Sequence, residues 1–428
     1  MRNLFIAAFS RLVPAVPAFI FVLAGAETAR AAIVSGDPLE LAIAVPEDSV
    51  KFKENSFVAF AGDEYSYDDN VYRLAPGVTD LRSLTGTGAN ATRGDHIDRI
   101  TLGADGMWNP GRQTVVVDLR ADDNRYNSNS NLNNVSTSDK LIWDWSVGSV
   151  LSGQVGATYD SALISFVNST NYSRNLYSVT NYFGAGRYQI GPHWAIFGGV
   201  LESGTTLSDP ALRSNDVHSK SVEFGSELAT GEKDTLDLEY RYTDARYPLG
   251  TALNSDYRED MERLVVRHVF TEKTKLDAFV GFLKRDYANT SIASFSGDVW
   301  RLALQWKPTE KVQLGADAWR NLQAYVTTQS DYYVARGESV SLRWVPREKI
   351  AVSGSYTHES QNYIGLSLSQ LSLGARRDSV NTPQVGVKYT PFEFLVFDFG
   401  YAYEKRNSNE SSFQYNDHVI SAKVTFKY

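Results

Sequence analysis

The sequence contains no cysteine, which rules out a disulfide framework and any thiol chemistry. Histidine is scarce. His96, His193, His218, His268, His358 and His418 are its six examples; none forms an i, i+4 helical pair or an H-E-x-x-H motif, so no metal site is expected from them. Cations are outnumbered, with 42 Lys and Arg against 50 Asp and Glu and a formal charge of −8, which argues against a nucleic-acid partner. After the first 31 residues no apolar run approaches the roughly 20 residues of a membrane helix. Serine is common, but Gly-x-Ser-x-Gly is missing, as is any helical domain to hold a nucleophile elbow. Gly86-Thr87-Gly88 lacks the strand-to-helix context of a dinucleotide fingerprint and reads as a flexible loop. No catalytic constellation and no cofactor pattern emerge.

What is abundant is aromatic: 24 Tyr and 21 Phe, with aromatic residues at 12%, although mean hydropathy is only −0.30. Low hydropathy with many tyrosines and tryptophans suits a barrel with an apolar lipid face and a polar lumen. The N-terminus agrees. Arg2 and Arg11 flank a charged start, Leu12–Gly25 is apolar, and Ala29-Arg30-Ala31 is a small-x-small cleavage site. Residues 1–31 read as a secretory signal peptide, 32–55 as a periplasmic lead without steady alternation, and 56–428 as a barrel.

The C-terminal stretch carries the plainest pattern. His418, Ile420, Ala422, Val424, Phe426 and Tyr428 form one row, while Val419, Ser421, Lys423, Thr425 and Lys427 form a largely polar one. A period of two marks a strand with one apolar and one wet side. A soluble sheet ending on such a strand would keep a sticky edge, whereas an outer-membrane barrel pairs its closing strand with the first. A soluble β-sandwich needs far fewer strands. Phe426 and the terminal Tyr428 resemble the C-terminal aromatic signal read by the outer-membrane assembly machinery, with Tyr in place of the usual Phe.

The same alternation recurs along the chain. Leu236, Leu238, Tyr240 and Tyr242 alternate with Asp237, Glu239, Arg241 and Thr243; Trp300, Leu302, Leu304 and Trp306 alternate with Arg301, Ala303, Gln305 and Lys307. Leu395, Phe397, Phe399 and Tyr401 flank Asp398 and Gly400 in the same way. Tight connections, among them Asn109-Pro110-Gly111-Arg112, Gly148-Ser149, Gly191-Pro192, Thr271-Glu272-Lys273 and Thr390-Pro391-Phe392, recur about every 36–45 residues. Long polar segments lie between them, including 123–139, 202–219, 244–258, 286–297, 359–378 and 404–416. Short periplasmic turns and long external loops predict an all-β, antiparallel up-and-down transmembrane barrel of about eighteen strands, sixteen being the alternative.

Charges on the non-lipid rows belong in a water-filled lumen. Asp237, Glu239, Arg241, Arg267, Arg301, Asp317, Arg343, Lys388 and Asp398 are therefore the candidate lumen residues, acting on charged permeants. On this reading Glu239→Arg should be tolerated, whereas Leu238→Arg should not. Asp68, Asp69 and Asn70 could offer oxygen ligands to Ca²⁺, but a solvated turn bonding its own backbone explains them as well, and no metal is assigned.

In the first external segment, Tyr67-Asp68-Asp69-Asn70-Val71-Tyr72-Arg73-Leu74 resembles the Y-D-D-N-h-h-R-L signature of EpsL-type outer-membrane proteins, encoded with exopolysaccharide synthesis and exosortase/PEP-CTERM systems. Trp306-Lys307-Pro308-Thr309, Arg377-Asp378 and Tyr415-Asn416-Asp417 fit that pattern, while the terminal Tyr428 and the Asn/Ser-rich segment 124–138 depart from it. The resemblance implies a non-enzymatic barrel taking part in exopolysaccharide export. Its partners would be outer-membrane lipid, the polysaccharide, the outer-membrane assembly machinery and periplasmic polysaccharide-export proteins. Two rival readings stand beside it: a general diffusion porin for small solutes, and a barrel enzyme acting on lipid or glycan.

Overall fold

The structure, a computed structural model, describes residues 55–78, 81, 91–168, 172–231, 234–250, 256–289, 294–324, 332–364 and 375–428. The expected signal peptide, nearly all of the periplasmic lead and Gly86-Thr87-Gly88 lie outside the described residues.

Eighteen strands form one closed antiparallel sheet. They are β1 (Ser56–Asp68), β2 (Asp95–Trp108), β3 (Thr114–Tyr126), β4 (Asn134–Val147), β5 (Leu151–Leu163) and β6 (Leu176–Ile190). Next come β7 (Trp194–Leu207), β8 (Val217–Ala229), β9 (Thr235–Arg246), β10 (Tyr257–Thr271), β11 (Thr274–Tyr287) and β12 (Phe295–Thr309). The last six are β13 (Val312–Ala324), β14 (Tyr332–Arg347), β15 (Ile350–Ile364), β16 (Arg377–Phe392), β17 (Leu395–Ser408) and β18 (Tyr415–Lys427). Each strand pairs with its neighbours in sequence, and β1 pairs with β18, so no edge is left open. In that closing ladder Tyr65 lies opposite Ala422 and Ala61 opposite Phe426.

Across the lipid belt the two rows of a strand have separate fates. One row is exposed and apolar: on β9 Leu238 is 62% exposed while its neighbours Asp237 and Glu239 are buried. Outward aromatics gather at two levels, as an interfacial girdle requires. Phe57, Trp108, Trp194, Trp306, Trp344 and Phe426 mark the end of the short turns. Tyr65, Tyr159, Tyr182, Phe282 and Tyr401 mark the opposite level. The other row faces the barrel axis and carries the buried polar groups. The apolar belt therefore takes the place of a central hydrophobic core.

Short turns sit where Gly and Pro place them. Gly111, Gly148 and Gly191 have φ of +70°, +63° and +69°, a region that side chains with a Cβ avoid. Two sequence expectations need correction. The turn expected at Thr390-Pro391-Phe392 falls at Glu393-Phe394, because β16 runs through to Phe392. The long loops are also shorter than their polarity suggests. Segment 123–139 is mostly strand, with only the 3₁₀ turn Ser130–Leu132 and its flanks between β3 and β4. The strands rise beyond the lipid belt there, so both faces are wet or packed against loops and the hydropathy alternation is lost while the pairing continues.

Candidate functional site

All nine candidate lumen residues lie on inward rows, and most of them are paired. Pairing follows from register: Glu223 is directly opposite Arg241, and Glu239 is directly opposite Arg263, so each carboxylate meets a guanidinium on the same face. Arg263 Nη2 is 2.7 Å from Glu239 Oε2 and 3.4 Å from Glu223 Oε2. Arg267 pairs with Asp237, Arg285 with Glu259 at 2.5 Å, and Arg187 with Glu227 at 2.6 Å. On β12 and β13, Arg301 meets Asp317 at 2.8 Å. Lys388 and Asp398 face each other at 3.9 Å, and Arg343 sits on the same inward row between Gln313 and Ser353.

Exposure divides this wall. Asp237, Glu239, Arg241 and Arg263 are all less than a tenth exposed, whereas the side chains of Lys388 and Asp398 are 53% and 34% exposed. The β8–β11 side is a dense ion-pair lattice, and the β16–β17 side is wet. Arg241 and Arg301, expected from the sequence to act with the lumen carboxylates on charged permeants, are neutralised by Glu223 and Asp317. Glu223, Glu259, Arg263 and Arg285 were missed as site residues, although their alternation on β8, β10 and β11 offered the same signal.

The segment Tyr67–Leu74 forms a clasp over the barrel's closing ladder. Asp69 N donates to His418 O at 3.1 Å, and His418 N donates back to Asp69 Oδ1 at 2.8 Å. Asn70, fully buried, donates from Nδ2 to Asn416 O at 2.9 Å and to Leu74 O at 3.1 Å. Its Oδ1 accepts from Leu74 N at 2.8 Å. Arg73, at φ +55°, reaches Asp68 with Nη1 and Asp417 with Nη2, both at 2.9 Å. Burial alone would lower its basicity, but Asp68 and then Asp417 outweigh that and hold the guanidinium above its ordinary range. Asp68, Asp69 and Asp417 are close enough together to hold a metal ion, yet the Arg73 guanidinium already lies against Asp68 and Asp417. Tyr67 points outward and rests on His96, ring centroids 4.8 Å apart.

Beyond the clasp, packed side chains cross the external mouth. Tyr72 packs against Phe166 at a tilt and against Tyr172 edge-on, at centroid distances of 5.1 and 5.9 Å, joined by Val71, Leu74 and Leu132. This cluster joins the β1–β2, β3–β4 and β5–β6 connections. Burial pushes the Tyr72 and Tyr172 hydroxyls above their usual pKa. The neighbouring Val167 carbonyl accepts from Arg406 of β17. Arg406 also donates to Gln361 Oε1 at 3.0 Å and lies 3.5 Å from Asp378. Asp378 in turn holds Arg376 at 2.5 Å, and Arg376 is sandwiched between Tyr363 and Phe413, 4.2 and 3.5 Å from their ring centroids. The chain of contacts thus runs from the β5–β6 connection to the β15–β17 side, over the arc of the mouth that holds β1 and β18. Arg376 falls in the polar segment 359–378 and Phe166 and Tyr172 carry no motif, since no periodic pattern marks a loop that folds inward.

Residues 266–428 match a family model described as "Putative beta-barrel porin 2". No curated protein matches the chain. Among solved structures, it is similar to Pseudomonas aeruginosa OccK2 (OpdF) in complex with glucuronate, at 9% identity and a TM-score of 0.47, over 87% of this chain and 96% of that one. It is also similar to Pseudomonas aeruginosa OccK9 (OpdG), at 12% identity and 0.46, over 87% and 98%. A third is Acinetobacter baumannii OccAB2, at 10% and 0.45, over the same shares. The closed barrel, its lipid belt and the porin-family match identify an outer-membrane protein of porin-like build.

Proposed function

We propose that the protein is a diffusion channel for small, polar or charged solutes. The observation that carries this reading is the bridge across the external mouth. A wet barrel interior spanned by Tyr72, Phe166, Val167 and Arg406 suits solutes that pass around packed loops, not a polymer that would have to displace them. The inner wall supports the same reading. Arginines paired with carboxylates keep the wall nearly neutral along β8–β13, while Lys388 and Asp398 stand in water and can exchange hydrogen bonds with a permeant.

The exopolysaccharide reading rests on the Tyr67–Leu74 signature. Here Asp68, Asp69, Asn70 and Arg73 hold the first strand to the last, a structural role that any barrel cargo could accompany. Export remains the rival outcome of one experiment. Purified protein in a planar bilayer is expected to conduct steadily without a partner, and a deletion strain to take up small polar solutes more slowly while its surface polysaccharide stays normal. A silent barrel together with loss of extracellular polysaccharide would overturn the channel in favour of export. Unchanged uptake and polymer, with loss of a lipid- or glycan-modifying activity, would favour the enzyme.

A further inference from the structure

Of the eight tryptophans, all but one stand on outward rows, where the lipid belt and its girdles account for them. Trp319 is the exception. It lies directly opposite Arg301 on one side and Gly337 on the other, both inward positions in mid-barrel. No lipid explains a tryptophan there.

The indole lies along the wall. A Cβ at Gly337 would stand 2.1, 2.4 and 2.8 Å from three carbons of its six-membered ring, so glycine is what lets the ring rest on the β14 backbone. Its Nε1 reaches past β14 and donates to Glu359 Oε2 on β15 at 3.3 Å, which fixes the rotation of the ring. One face is taken up by the wall, and the other is turned to the lumen. The side chain stays part-exposed, and among the described residues no other ring or cation packs on it. Covering a bare backbone does not by itself require tryptophan: Phe60, Phe183 and Phe197 do the same over Gly103, Gly156 and Gly225. What sets Trp319 apart is its anchored N–H edge and the charges around it.

The rim of this platform is polar. Asp317, two residues along the same row, holds Arg301 at 2.8 Å, and their side chains are 26% and 34% exposed. Glu359 accepts a second hydrogen bond, on Oε1, from Gln361 Nε2 at 2.6 Å. Each carboxylate keeps lone pairs to offer, and two carboxylates face a single guanidinium. A flat apolar surface bordered by a few fixed acceptors suits a ring that is apolar on its faces and hydroxylated at its edge. A neutral pyranose is such a ring. Its C–H face can lie on the indole while its hydroxyls donate to Asp317 and Glu359, whereas a uronate would bring a further carboxylate against the excess negative charge.

We infer that Trp319, Asp317 and Glu359 form a sugar subsite in the channel wall, selective for uncharged pyranoses over acidic ones. The inference rests on the channel reading given above and narrows its permeants.

Glucose and glucuronate are the probes. Each is titrated against the current noise of the barrel in a planar bilayer, and by saturation-transfer NMR on the detergent-solubilised barrel. Glucose is expected to saturate both signals, and glucuronate to need about threefold more, the scale of a partly exposed charge contact. Trp319→Phe keeps a ring over Gly337 but loses the anchored edge. It should raise the half-saturating glucose concentration about threefold, and Trp319→Ala about tenfold, the span of one aromatic contact. If the alanine variant fails to assemble, the phenylalanine variant decides. Glu359→Gln keeps an acceptor for the indole N–H and should close the gap between the two sugars. No saturable glucose binding in a conducting barrel, or binding that Trp319→Phe leaves unchanged, overturns the subsite. Glucuronate bound as tightly as glucose overturns its selectivity. Trp319-dependent glucose binding in a barrel that does not conduct would instead refute the channel and leave the subsite standing.

Discussion

Glu239 and Arg263 lie directly opposite each other on neighbouring strands and meet at 2.7 Å, each less than a tenth exposed. One residue away, Leu238 turns the other way and is 62% exposed to the lipid side. Adjacent residues thus answer to two solvents, and substitutions at each should fail for different reasons.

Leu238→Arg is expected to destabilise the folded barrel by about 2–4 kcal/mol, the penalty of a lipid-facing cation near mid-membrane. Urea unfolding in lipid vesicles measures it. A loss below half of that range would mean that Leu238 does not face the bilayer core.

Glu239→Arg, tolerable if the lumen at this position were open water, is expected to be harmful. It sets a new cation against Arg263 and beside Arg241 and Arg267 in a buried lattice, and breaking a buried pair costs about 3–5 kcal/mol. Glu239→Gln, which keeps the shape and one acceptor, should cost less. The same unfolding assay decides, and near-native stability of Glu239→Arg would show that the β8–β10 lattice is open to water.

The clasp makes a prediction about chemistry at fixed charge. Arg73 uses separate nitrogens for Asp68 and Asp417, so Arg73→Lys keeps the charge but not the fork. Both Arg73→Ala and Arg73→Lys are expected to lower the temperature at which the barrel loses its heat-modifiable gel mobility, alanine more than lysine. A lysine variant indistinguishable from wild type would reduce the clasp to simple charge neutralisation.

Tyr428 exchanges backbone hydrogen bonds with Ala59, at 2.7 and 2.9 Å, and its side chain is almost fully exposed. Removing Tyr428 is expected to reduce outer-membrane levels, whereas Tyr428→Phe should match or exceed wild type. Equal levels for the deletion would deny the terminal aromatic any part in assembly.

Phe166→Ala should loosen the bridge across the mouth while the strands stay intact. A large aromatic lost from a packed cluster costs about 3–5 kcal/mol, but here the loss falls on loops. The expected result is higher and noisier single-channel conductance with unchanged heat modifiability. Identical conductance would place the flow-limiting constriction elsewhere.

The outward rows were legible in the sequence because lipid imposes a period of two on Leu236–Tyr242 and Trp300–Trp306 alike. The tight turns were legible through Gly111, Gly148 and Gly191. Alternation reports only which side of a strand a residue occupies, not what that side meets. Leu322 and Val334 follow the pattern of lipid-facing residues, and only above the end of the β12–β13 ladder at Trp300 and Arg320 do they turn towards Phe295 and Val299. Arg406 likewise reads as one more residue of the polar segment 404–416 until the Val167 carbonyl is seen on it. Long-range encounters of this kind leave no periodic trace in sequence. The Tyr67–Leu74 signature was visible as a motif, but its task was not, since its partners stand at the far end of the chain.

That separation has a consequence for the order of events during biogenesis. Asp69 and His418 are 349 positions apart, and Asn70 and Asn416 are 346 apart. A chain threaded into the periplasm from its N-terminus presents one half of the clasp early and the other only when nearly all of it has crossed. Until then Asn70 and Arg73 have only their local partners Leu74 and Asp68, and a product without β18 lacks Asn416 and Asp417. The clasp therefore closes only when β18 is in place, since Asn416, Asp417 and His418 are its other half.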